Sequence, residues 1–567
     1  MKKQLIRLGL LLSIVVTLPY SGFAEERYRD LLFADVEVVA GVQFGVGRRA
    51  EGADQPLLMD IYMPAGDTAT DRAVVVLAFP GGFVNGARDD SEMVQMATRF
   101  ARHGFVAASI DYRLIEDSPD SSGELQVRVL QAIHDMRAAV RFFREDGAGA
   151  DRYGTDGQHV FAGGISAGAV MAGAMGTLDE GDDLGNTVTE YLAVNGGIAG
   201  NSSTNTEFSS AVSGVLQISG AIQDVDWIEP DSAPIFAAHE EFDPIVPCGT
   251  IPGLGFIAFG QALVSSGACD MIPAARDVGV PTEFFFDRGS FNHVGFSNSE
   301  FIEILDGAAE FFFNEVLRPV ALASAVLPGS RAVQVDDVAT VFASVINTTD
   351  NELTGCVVRP MTDLPAEFSY RTANPVNVPV GEADAPFAIA PGAIQNLVLS
   401  VTPDDDFSPT ALFLRYECAD ARAATNVLGV NTLLLSASND PVADIIGLTT
   451  EVDLVAQVNA TALFAVGSAN VGVTESIAVS VDDGNAGLPL QLLICPTDPA
   501  TGACVAPATP SSTLTYEAGS TASFAVFATP TGEITNAPAS NRIFVRFRGE
   551  NGDVRGSTST AVRTLAQ

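Results

Sequence analysis

Hydrophobic residues follow two different patterns along the chain, and the change falls near residue 320. From about residue 35 to 318, apolar runs alternate with stretches whose apolar positions recur every three or four residues, as in amphipathic helices. From about residue 320 onward, only short runs rich in Val, Thr, Ala and Gly remain. The pattern therefore predicts a region of alternating strands and helices, followed by a region of strands alone.

The first region contains strand-like runs, several of which are apolar on both faces, as buried parallel strands are. Helical spacing appears between them. Apolar residues recur every three or four positions from Val129 to Phe143, and "SEMVQMATRFARHG" predicts a helix that ends at Gly104. "SNSE" predicts a capping box at the start of a last helix. This alternation predicts an α/β fold with a mostly parallel sheet covered by helices. The strand-like runs are "LLMDIYMP", "RAVVVLAF", "FVAASIDY", "HVFAGGI", "GVLQISG", "APIFAAH" and "TEFFFD".

The strand-rich region is internally repeated. "FASVINTTDNELTGCVVRP" has a counterpart in "IAVSVDDGNAGLPLQLLICP", and "ALFLRYECADARAATNVLGVNT" has one in "RIFVRFRGENGDVRGSTSTAVRT". Two all-β copies of roughly 110 to 120 residues predict two sandwiches in tandem. We expect them at residues 321–440 and 441–567, behind a first domain at residues 25–320.

The first copy has two marks of a known sandwich. Tyr416 and Cys418, with Cys356 upstream, resemble the tyrosine corner and the inter-sheet disulfide of immunoglobulin-like domains. The second copy has Phe547 and Gly549 in place of the Tyr and the Cys. The resemblance implies all-β, immunoglobulin-like sandwich domains, and it is fuller in the first copy.

The N-terminal residues predict an export signal. A charged start, "MKKQLIR", precedes the apolar run "LGLLLSIVV", and "GFA" offers small residues for cleavage. The apolar run is shorter than the roughly 20 residues that span a bilayer, and no later segment qualifies. We therefore expect residues 1–24 to be a signal peptide and the mature protein to be periplasmic or extracellular, with no membrane span.

The charge of the chain excludes one class of partner. The 567 residues carry a formal net charge of −40. Such a surface repels nucleic acid and anionic lipid, because binding to them depends on neutralised phosphates. We expect no nucleic-acid partner, and we interpret the charge as a solubility feature.

The six cysteines of an exported chain favour disulfides over metal ligands. Six cysteines allow fifteen pairings, and proximity along the sequence favours Cys248 with Cys269, Cys356 with Cys418, and Cys495 with Cys504. The chain has no CxxC or HExxH pattern. The sequence therefore predicts no metal site.

The stretch "GISAG", residues 164–168, has the pattern G-x-S-x-G. A strand-like run precedes it and the helix-like "AGAVMAGAMGTL" follows, so Ser166 would lie on a sharp turn that exposes its hydroxyl group. The start of the following helix favours developing negative charge. We predict that Ser166 is a nucleophile; a glycine-rich packing turn is the alternative.

A serine hydroxyl group needs a general base, and His293 is our candidate. Of the other histidines, His103 lies near a helix end, His134 lies inside a helix and His159 precedes a strand. His239 ends a strand, and we expect it to shape the loop that follows. His293 lies in the polar loop "GSFNHVGFSN" and comes after every plausible acid.

The acid that orients the imidazole is expected to be Asp243, just beyond a strand in "PIFAAHEEFDPIVP". Glu240, Glu241 and Asp226 are alternatives. Glu240 and Glu241 fall closer to the end of the strand, and Asp226 precedes it. With Asp243, the chain order is Ser, Asp, His.

Glycines near a third strand end predict an oxyanion hole. "AFPGGFVNG" presents Gly81 and Gly82, whose backbone can approach an oxyanion, and the N–H group of Ala167 lies beside the nucleophile. A phosphate-binding loop is the competing interpretation, but no Lys-Ser or Lys-Thr follows the glycines.

Together these segments resemble the α/β-hydrolase fold and, within it, secreted carboxylesterases of the hormone-sensitive-lipase-like and bacterial feruloyl esterase-like groups. The resemblance covers residues 35–318 and rests on "LLMDIYMP", "FPGGFVNG", "SIDYRL", "DMRAAVRFFRE", "GGISAGA", "HEEFDPIVP" and "NHVGF". It implies Ser166, Asp243 and His293 as a catalytic triad, with Gly81, Gly82 and Ala167 as the oxyanion hole. One departure is Phe79-Pro80-Gly81-Gly82, where the family has His-Gly-Gly-Gly.

The resemblance implies an exported serine hydrolase that cleaves small-molecule or polymeric carboxylic esters through an acyl-enzyme, with no cofactor. Three alternatives remain open: a prolyl-oligopeptidase-like peptidase, a polyester depolymerase, and a non-catalytic surface or binding protein on a hydrolase scaffold. The β-domains would contact a polymer or the cell envelope, or act as spacers. Segments 176–213 and 248–280 are long enough to form a cap over the site.

Overall fold

The computed structural model describes residues 26–49, 52–249, 256–258, 261–263, 265–449, 455–457 and 461–564. Three hydrophobic cores lie within them: one between Phe44 and Phe312, one between Ala321 and Leu435, and one between Ala443 and Val562. The predicted signal peptide, residues 1–24, lies outside the described residues.

The first core surrounds an eight-stranded sheet with the order β1-β2-β4-β3-β5-β6-β7-β8. Strand β2 is antiparallel to both of its neighbours, and the strands from β4 through β3 to β8 are parallel. This confirms the predicted α/β fold with a mostly parallel sheet. The strands are β1 (Val36–Arg48), β2 (Asp54–Pro64), β3 (Arg72–Ala78), β4 (Val106–Ile110), β5 (Thr155–Ile165), β6 (Val215–Ile218), β7 (Ile235–Glu240) and β8 (Thr282–Asp287).

Strand β1 is absent from the strand-like runs found in the sequence. It lies at the edge of the sheet, and most of its side chains are exposed or half-buried. An edge strand that is not covered on both faces does not need a continuous apolar run. The apolar pattern therefore reveals the central strands and misses this one.

Helices cover the sheet: α1 packs against α6, and α2 packs against α3 and α4. Helix α1 ends at Gly104, which adopts φ 103°, and α6 begins with the predicted capping box of Ser297 and Glu300. None of the described helices has both the length and the apolar character that crossing a membrane requires. The helices are α1 (Ser91–His103), α2 (Ser122–Ala148), α3 (Ala167–Thr177), α4 (Asn186–Val194), α5 (Ala268–Asp277) and α6 (Asn298–Phe312).

Short elements complete the first domain. Two small antiparallel pairs join Ala221–Ile222 to Ser266–Gly267, and Phe256–Ala258 to Gln261–Leu263. A 3-10 turn covers Val225–Trp227, and a π-helical turn, Phe313–Leu317, extends α6. Ala221–Ile222 follows β6 directly, so this pair lies at the carboxyl end of that strand, where ligands bind in open α/β sheets.

The strand-rich region forms layered sheets around the second and third cores, which fits the predicted β-sandwiches. Around the second core, the strands are Leu322–Leu327, Ser330–Gln334, Ala339–Asn347, Leu353–Pro360, Ala366–Ala373, Phe387–Ile389, Ile394–Pro403, Phe407–Leu412, Leu414–Glu417 and Leu433–Ser438. Around the third core, they are Ile445–Thr449, Val455–Gln457, Ala462–Asn470, Glu475–Asp482, Leu490–Thr497, Ser511–Tyr516, Thr521–Pro530, Arg542–Arg548 and Val554–Arg563.

The two sandwiches repeat one topology. However, the first of the two sequence matches pairs each strand with the strand that follows its true counterpart. The equivalent positions in the sheet orders show that Ala339–Asn347 corresponds to Ala462–Asn470, whereas the sequence match pairs it with "IAVSV". Asn347 and Asn470, both fully buried, end these strands, and each side-chain amide donates to three backbone carbonyls of neighbouring turns. Short alternating strands resemble one another in sequence, so apolar periodicity alone does not fix their register.

The structure pairs all six cysteines as their proximity predicts. However, Cys356–Cys418 joins two hydrogen-bonded strands of one sheet, since the neighbouring residues Val357 and Glu417 are paired. Within the described residues, no partner accepts a hydrogen bond from the buried Tyr416 hydroxyl group. These two features therefore differ from the inter-sheet disulfide and tyrosine corner that the sequence resembles.

Polar contacts join the three cores in series. Arg415 of the first sandwich forms an ion pair with Glu315 beyond α6. Between the sandwiches, the Arg331 guanidinium group lies 2.8 Å from the Asp444 carboxylate, which also accepts the Ala332 N–H group. Partly buried ion pairs of this kind are weak evidence for added stability, because desolvation offsets their attraction.

Candidate active site

Ser166 occupies the turn between β5 and α3 with φ 51° and ψ −113°, a conformation that non-glycine residues rarely adopt. Its N–H group donates to the carbonyl of Ile218 at 2.8 Å. The glycines on either side make this turn possible. A Cβ atom on Gly168 would lie 2.0 Å from the carbonyl oxygen of Ala78, and one on Gly164 would lie 2.4 Å from the Gly168 backbone.

His293 connects Ser166 to Asp243. Its Nε2 atom lies 2.8 Å from Ser166 Oγ, and its Nδ1 atom lies 2.6 Å from Asp243 Oδ2. The three residues follow β5, β7 and β8, whose carboxyl ends meet at one edge of the sheet. The structure thus brings together the three residues that the sequence proposed as a triad, in the geometry of a nucleophile, a base and an orienting acid.

The Asp243 side chain is fully buried. Burial acts to raise its pKa, but hydrogen bonds from His239, His293 and the Ile245 N–H group outweigh burial and lower the pKa to about 2. Asp243 Oδ1 accepts the N–H groups of Ile245 and Val246 at 2.8 and 3.0 Å. The carboxylate is therefore held in one orientation, with Oδ2 facing the imidazole.

His239 shapes this loop, as the sequence predicted. Its buried Nε2 lies 2.8 Å from the carbonyl oxygen of Val246 and 3.5 Å from Asp243 Oδ2. Because a carbonyl oxygen only accepts hydrogen bonds, Nε2 must carry the proton. His239 therefore ties the end of the loop to β7, while His293 alone reaches Ser166.

Glu240, one of the alternative acids, contacts the backbone of the histidine loop. Its buried carboxylate accepts the Ser219 hydroxyl group at 2.7 Å and the N–H group of Gly295 at 2.6 Å. Gly295 lies two residues after His293. Glu240 therefore links the ends of β6 and β7 to the loop that carries the imidazole.

The remaining candidates lie away from this chain of contacts. Glu241 accepts the Gly289 N–H group, and Asp226 is an exposed residue of the 3-10 turn. Three histidines also have other surroundings: His103 contacts Asp306, His134 is buried against Tyr191, and His159 contacts Asp156.

The glycine loop after β3 approaches the serine turn through Ala78. Gly81 has φ 121°, and a Cβ atom there would lie 2.1 Å from the carbonyl oxygen of Asn85, so only glycine fits. Among the described residues, no protein acceptor is bonded to the N–H groups of Gly81, Gly82 or Ala167. These three donors remain available for an anion.

Aromatic contacts fix the loop at the point where the family has His-Gly-Gly-Gly. Phe79 stacks on Tyr112 with ring centroids 4.2 Å apart, and the Tyr112 hydroxyl group donates to the Phe79 carbonyl at 3.0 Å. The Ile115 N–H group donates to the Phe83 carbonyl at 2.7 Å. Aromatic packing on one side and a backbone hydrogen bond on the other thus anchor the glycine pair.

An apolar cavity lies beside the glycine loop. Its wall includes Phe83, directly after the glycines, and Val170, one helical turn after Ser166. Both segments expected to form a cap contribute: Leu184 and Val188 from the first, and Leu263 from the second. Such a cavity suits an apolar group of a substrate.

The sequence predicts neither the supporting role of Glu240 nor the side chains that line the cavity. It suggests Glu240 only as an acid, since the contact with Gly295 spans 55 positions and leaves no local pattern. The cavity residues carry the ordinary apolar spacing of helices. Neither has a signal in a single sequence that separates function from packing.

The sheet order, with a strained serine between β5 and α3, is that of an α/β-hydrolase. Residues 59–205 match the BD-FAE family model, which describes α/β-hydrolase esterases. The match confirms the expected fold and the expectation of a carboxylic ester hydrolase. It ends before Asp243 and His293.

Solved structures similar to this chain include esterase 2 of Thermogutta terrifontis in its apo form and phosphorylated by paraoxon. Both are 19% identical to this chain with TM-scores of 0.35, and the matches cover 50% and 49% of this chain and 95% and 93% of theirs. A truncated carbohydrate esterase from gut microbiota is 15% identical, with a TM-score of 0.35 and coverage of 50% and 98%. No curated protein matches the sequence.

Proposed function

We propose that this chain is an exported serine esterase in which Ser166, His293 and Asp243 form the catalytic triad. The single observation that supports this best is the continuous hydrogen-bonded chain from Ser166 Oγ through His293 to Asp243. The substrate is a carboxylic ester, and the chemistry needs no cofactor.

In the first step, His293 Nε2 takes the proton of Ser166 as the serine oxygen attacks the ester carbonyl. The N–H groups of Gly81, Gly82 and Ala167 stabilise the resulting oxyanion. Asp243 holds the proton of Nδ1 and stabilises the imidazolium. His293 then donates its proton to the leaving alcohol, and an acyl-enzyme remains.

In the second step, water repeats the sequence. His293 takes a proton from water, the hydroxide attacks the acyl carbonyl, and the acid leaves as Ser166 recovers its proton. Both steps require neutral His293. Activity should therefore fall on acidification, which a pH–rate profile measures directly.

The apolar cavity is proposed to receive the acyl group. The support comes from its lining, since Phe83 directly follows Gly82 and Val170 lies one helical turn after Ser166. Its lining contains no charged side chain, and Gln126 and Gln223 are bonded to each other at 3.0 Å. We therefore infer an aliphatic acid of moderate length, because a charged acid would be left unpaired there.

We further propose a catalytic domain at residues 25–320 and sandwich domains at 321–440 and 441–567. Three disulfides are compatible with export. The sandwiches would position the enzyme at a polymer or at the cell envelope. Salt-dependent sedimentation with insoluble polyesters, polysaccharides and envelope fractions would test that role.

The direct test is hydrolysis of p-nitrophenyl acetate, butyrate and octanoate by the purified protein. Wild type should release nitrophenol, and Ser166→Ala should lose at least about 10³-fold in kcat. Ser290→Ala, in the same loop as His293, is the matched control and should retain activity. No turnover by folded wild type, or equal turnover by Ser166→Ala, would refute the proposal.

A further inference from the structure

Two phenylalanine rings lie exposed beside the proposed triad. Phe242 immediately precedes Asp243, and Phe291 lies two residues before His293. Their rings stack with centroids 4.5 Å apart and an interplanar angle of 23°. The exposed fractions are 47% for Phe242 and 72% for Phe291. We call this stacked pair the aromatic shelf.

Exposing two aromatic rings next to each other is unfavourable in water, since a large part of their apolar surface stays hydrated. The shelf is also held in place. The Phe242 N–H group donates to the Ser290 carbonyl at 2.9 Å, and the Glu241 N–H group donates to the Asp287 carbonyl at 3.0 Å. The two loops therefore present the rings as one fixed surface.

Neither phenylalanine of the shelf lines the apolar cavity. The cavity is lined mainly by the glycine loop and the helices around α3, through residues such as Phe83 and Val170, and Val246 contributes from the loop after β7. The shelf belongs to the loops after β7 and β8, which carry Asp243 and His293. An ester bound at Ser166 has two parts, an acyl group and an alcohol. The cavity and the shelf can each receive one of them.

The direction of proton transfer decides which part of the ester lies on the shelf and which lies in the cavity. During acylation, His293 Nε2 gives its proton to the oxygen of the leaving alcohol, so that oxygen must lie next to His293. The rest of the alcohol then extends over the loops that flank the imidazole. The acyl group stays bonded to Ser166 and turns toward the cavity.

We propose that the aromatic shelf of Phe242 and Phe291 binds the leaving alcohol, and that this alcohol presents the flat apolar face of a ring. This inference rests on the proposed function and adds the class of the alcohol to it. An aryl ring and a sugar ring share such a face, because both stack on exposed aromatic side chains. A short linear alcohol has no such face.

Three acetate esters test the shelf: ethyl acetate, benzyl acetate and an acetylated methyl xylopyranoside. All three form the same acetyl-enzyme, so differences in kcat/KM between them report acylation alone. Phe291→Ala should lower kcat/KM about three- to tenfold for at least one ring ester and leave ethyl acetate within about twofold. Phe291→Trp should keep kcat/KM for the ring ester near the wild-type value, because tryptophan keeps a stacking surface.

Phe342→Ala is the matched control, since Phe342 is a partly exposed phenylalanine on a strand of the first sandwich. This variant should leave kcat/KM unchanged for all three esters. A loss confined to benzyl acetate assigns an aryl alcohol, and a loss confined to the xylopyranoside assigns a sugar. Unchanged ring esters, or an equal loss for ethyl acetate, would overturn the shelf while leaving the esterase proposal intact. Hydrolysis of none of the esters by wild type would overturn both.

Discussion

The two sides of the candidate site are built in opposite ways. The side that we call the relay side, formed by the loops after β7 and β8, holds Glu240, Asp243 and His293 through hydrogen bonds of 2.6 to 2.8 Å. The cavity side, formed by α2, α3 and α4, presents mainly aliphatic side chains such as Ile133, Val170 and Ala174. Proton transfer depends on directed, short contacts, whereas acyl binding depends on shape and volume. The difference predicts that changes on the relay side affect every ester, and that changes on the cavity side select among esters.

The largest effect is expected for Asp243→Asn. The asparagine Oδ1 atom would still accept hydrogen bonds from the N–H groups of Ile245 and Val246. The amide nitrogen of the asparagine would therefore face His293 Nδ1. That nitrogen can only donate, which forces the imidazole proton onto Nε2, toward Ser166. We expect kcat to fall by about 10³- to 10⁴-fold for all p-nitrophenyl esters.

Asp226→Asn is the matched control for this change, since Asp226 was an alternative acid in the sequence and is exposed in the structure. It should retain wild-type kcat. Substantial activity of Asp243→Asn together with loss in Asp226→Asn would reverse the assignment of the acid.

Glu240→Ala should have the next largest effect. It removes the acceptor of the Gly295 N–H group and frees the loop that carries His293. Displacement of a reacting group by about 1 Å can cost about 10²-fold, so we expect kcat to fall by about 10- to 100-fold with little change in KM. Glu240→Gln should recover most of the activity, because its Oε1 atom accepts from Gly295 and its amide group donates to Ser219.

Glu241→Ala provides the control for Glu240, because Glu241 makes a similar contact with Gly289 in the same pair of loops. A merely structural role for Glu240 would lower thermal stability and leave kcat of the folded protein unchanged. Equal kcat values for wild type and folded Glu240→Ala would remove Glu240 from the relay side.

Acid should destabilise the relay side through Asp243. Its pKa of about 2 lies below the ordinary value of 3.8, so folding favours the ionised form. That stabilisation is complete above about pH 5 and is lost as the pH falls toward 2, about 2 kcal/mol in total. Wild type should therefore lose about 2 kcal/mol more than Asp243→Asn between pH 6 and pH 2.

Trp227 allows this measurement, because it is the only tryptophan of the chain and is buried in the first domain. Its fluorescence follows denaturant unfolding of that domain. Equal acid sensitivity of wild type and Asp243→Asn would mean that the carboxylate is not stabilised by folding.

Ala174→Phe should block the cavity side selectively. Ala174 is buried on α3 and lines the cavity, so a phenyl ring there would occupy space that a long acyl chain needs. We expect kcat/KM to fall about tenfold for p-nitrophenyl octanoate and to stay within about twofold for the acetate. Val194→Phe, on the exposed face of α4, is the control for added bulk. An equal loss for both esters would argue against the cavity as the acyl site.

The sequence predicted this architecture well where local pattern and strand order suffice. Ser166, Asp243 and His293 each follow a recognisable strand, and parallel strands bring their carboxyl ends to one edge. Their catalytic roles stay a prediction. Three features depend on tertiary pairing instead: the contact of Glu240 with Gly295, the stacking of Phe242 on Phe291, and the register of the sandwich strands. A single sequence carries no periodic signal for such pairing.

The smallest expected effect is the coupling between the two sides, which a double variant measures. Glu240 acts through Ser219 and Gly295, whereas Ala174 acts through the length of the acyl chain, and the two share no bonding partner. Independent sites contribute additively, so the losses of Glu240→Ala and Ala174→Phe on octanoate should multiply to within about twofold. A double variant that departs from this product by more than about fivefold would show that the acyl chain helps to position His293. The relay side and the cavity side would then act as one unit, because acyl binding would itself complete the proton-transfer geometry.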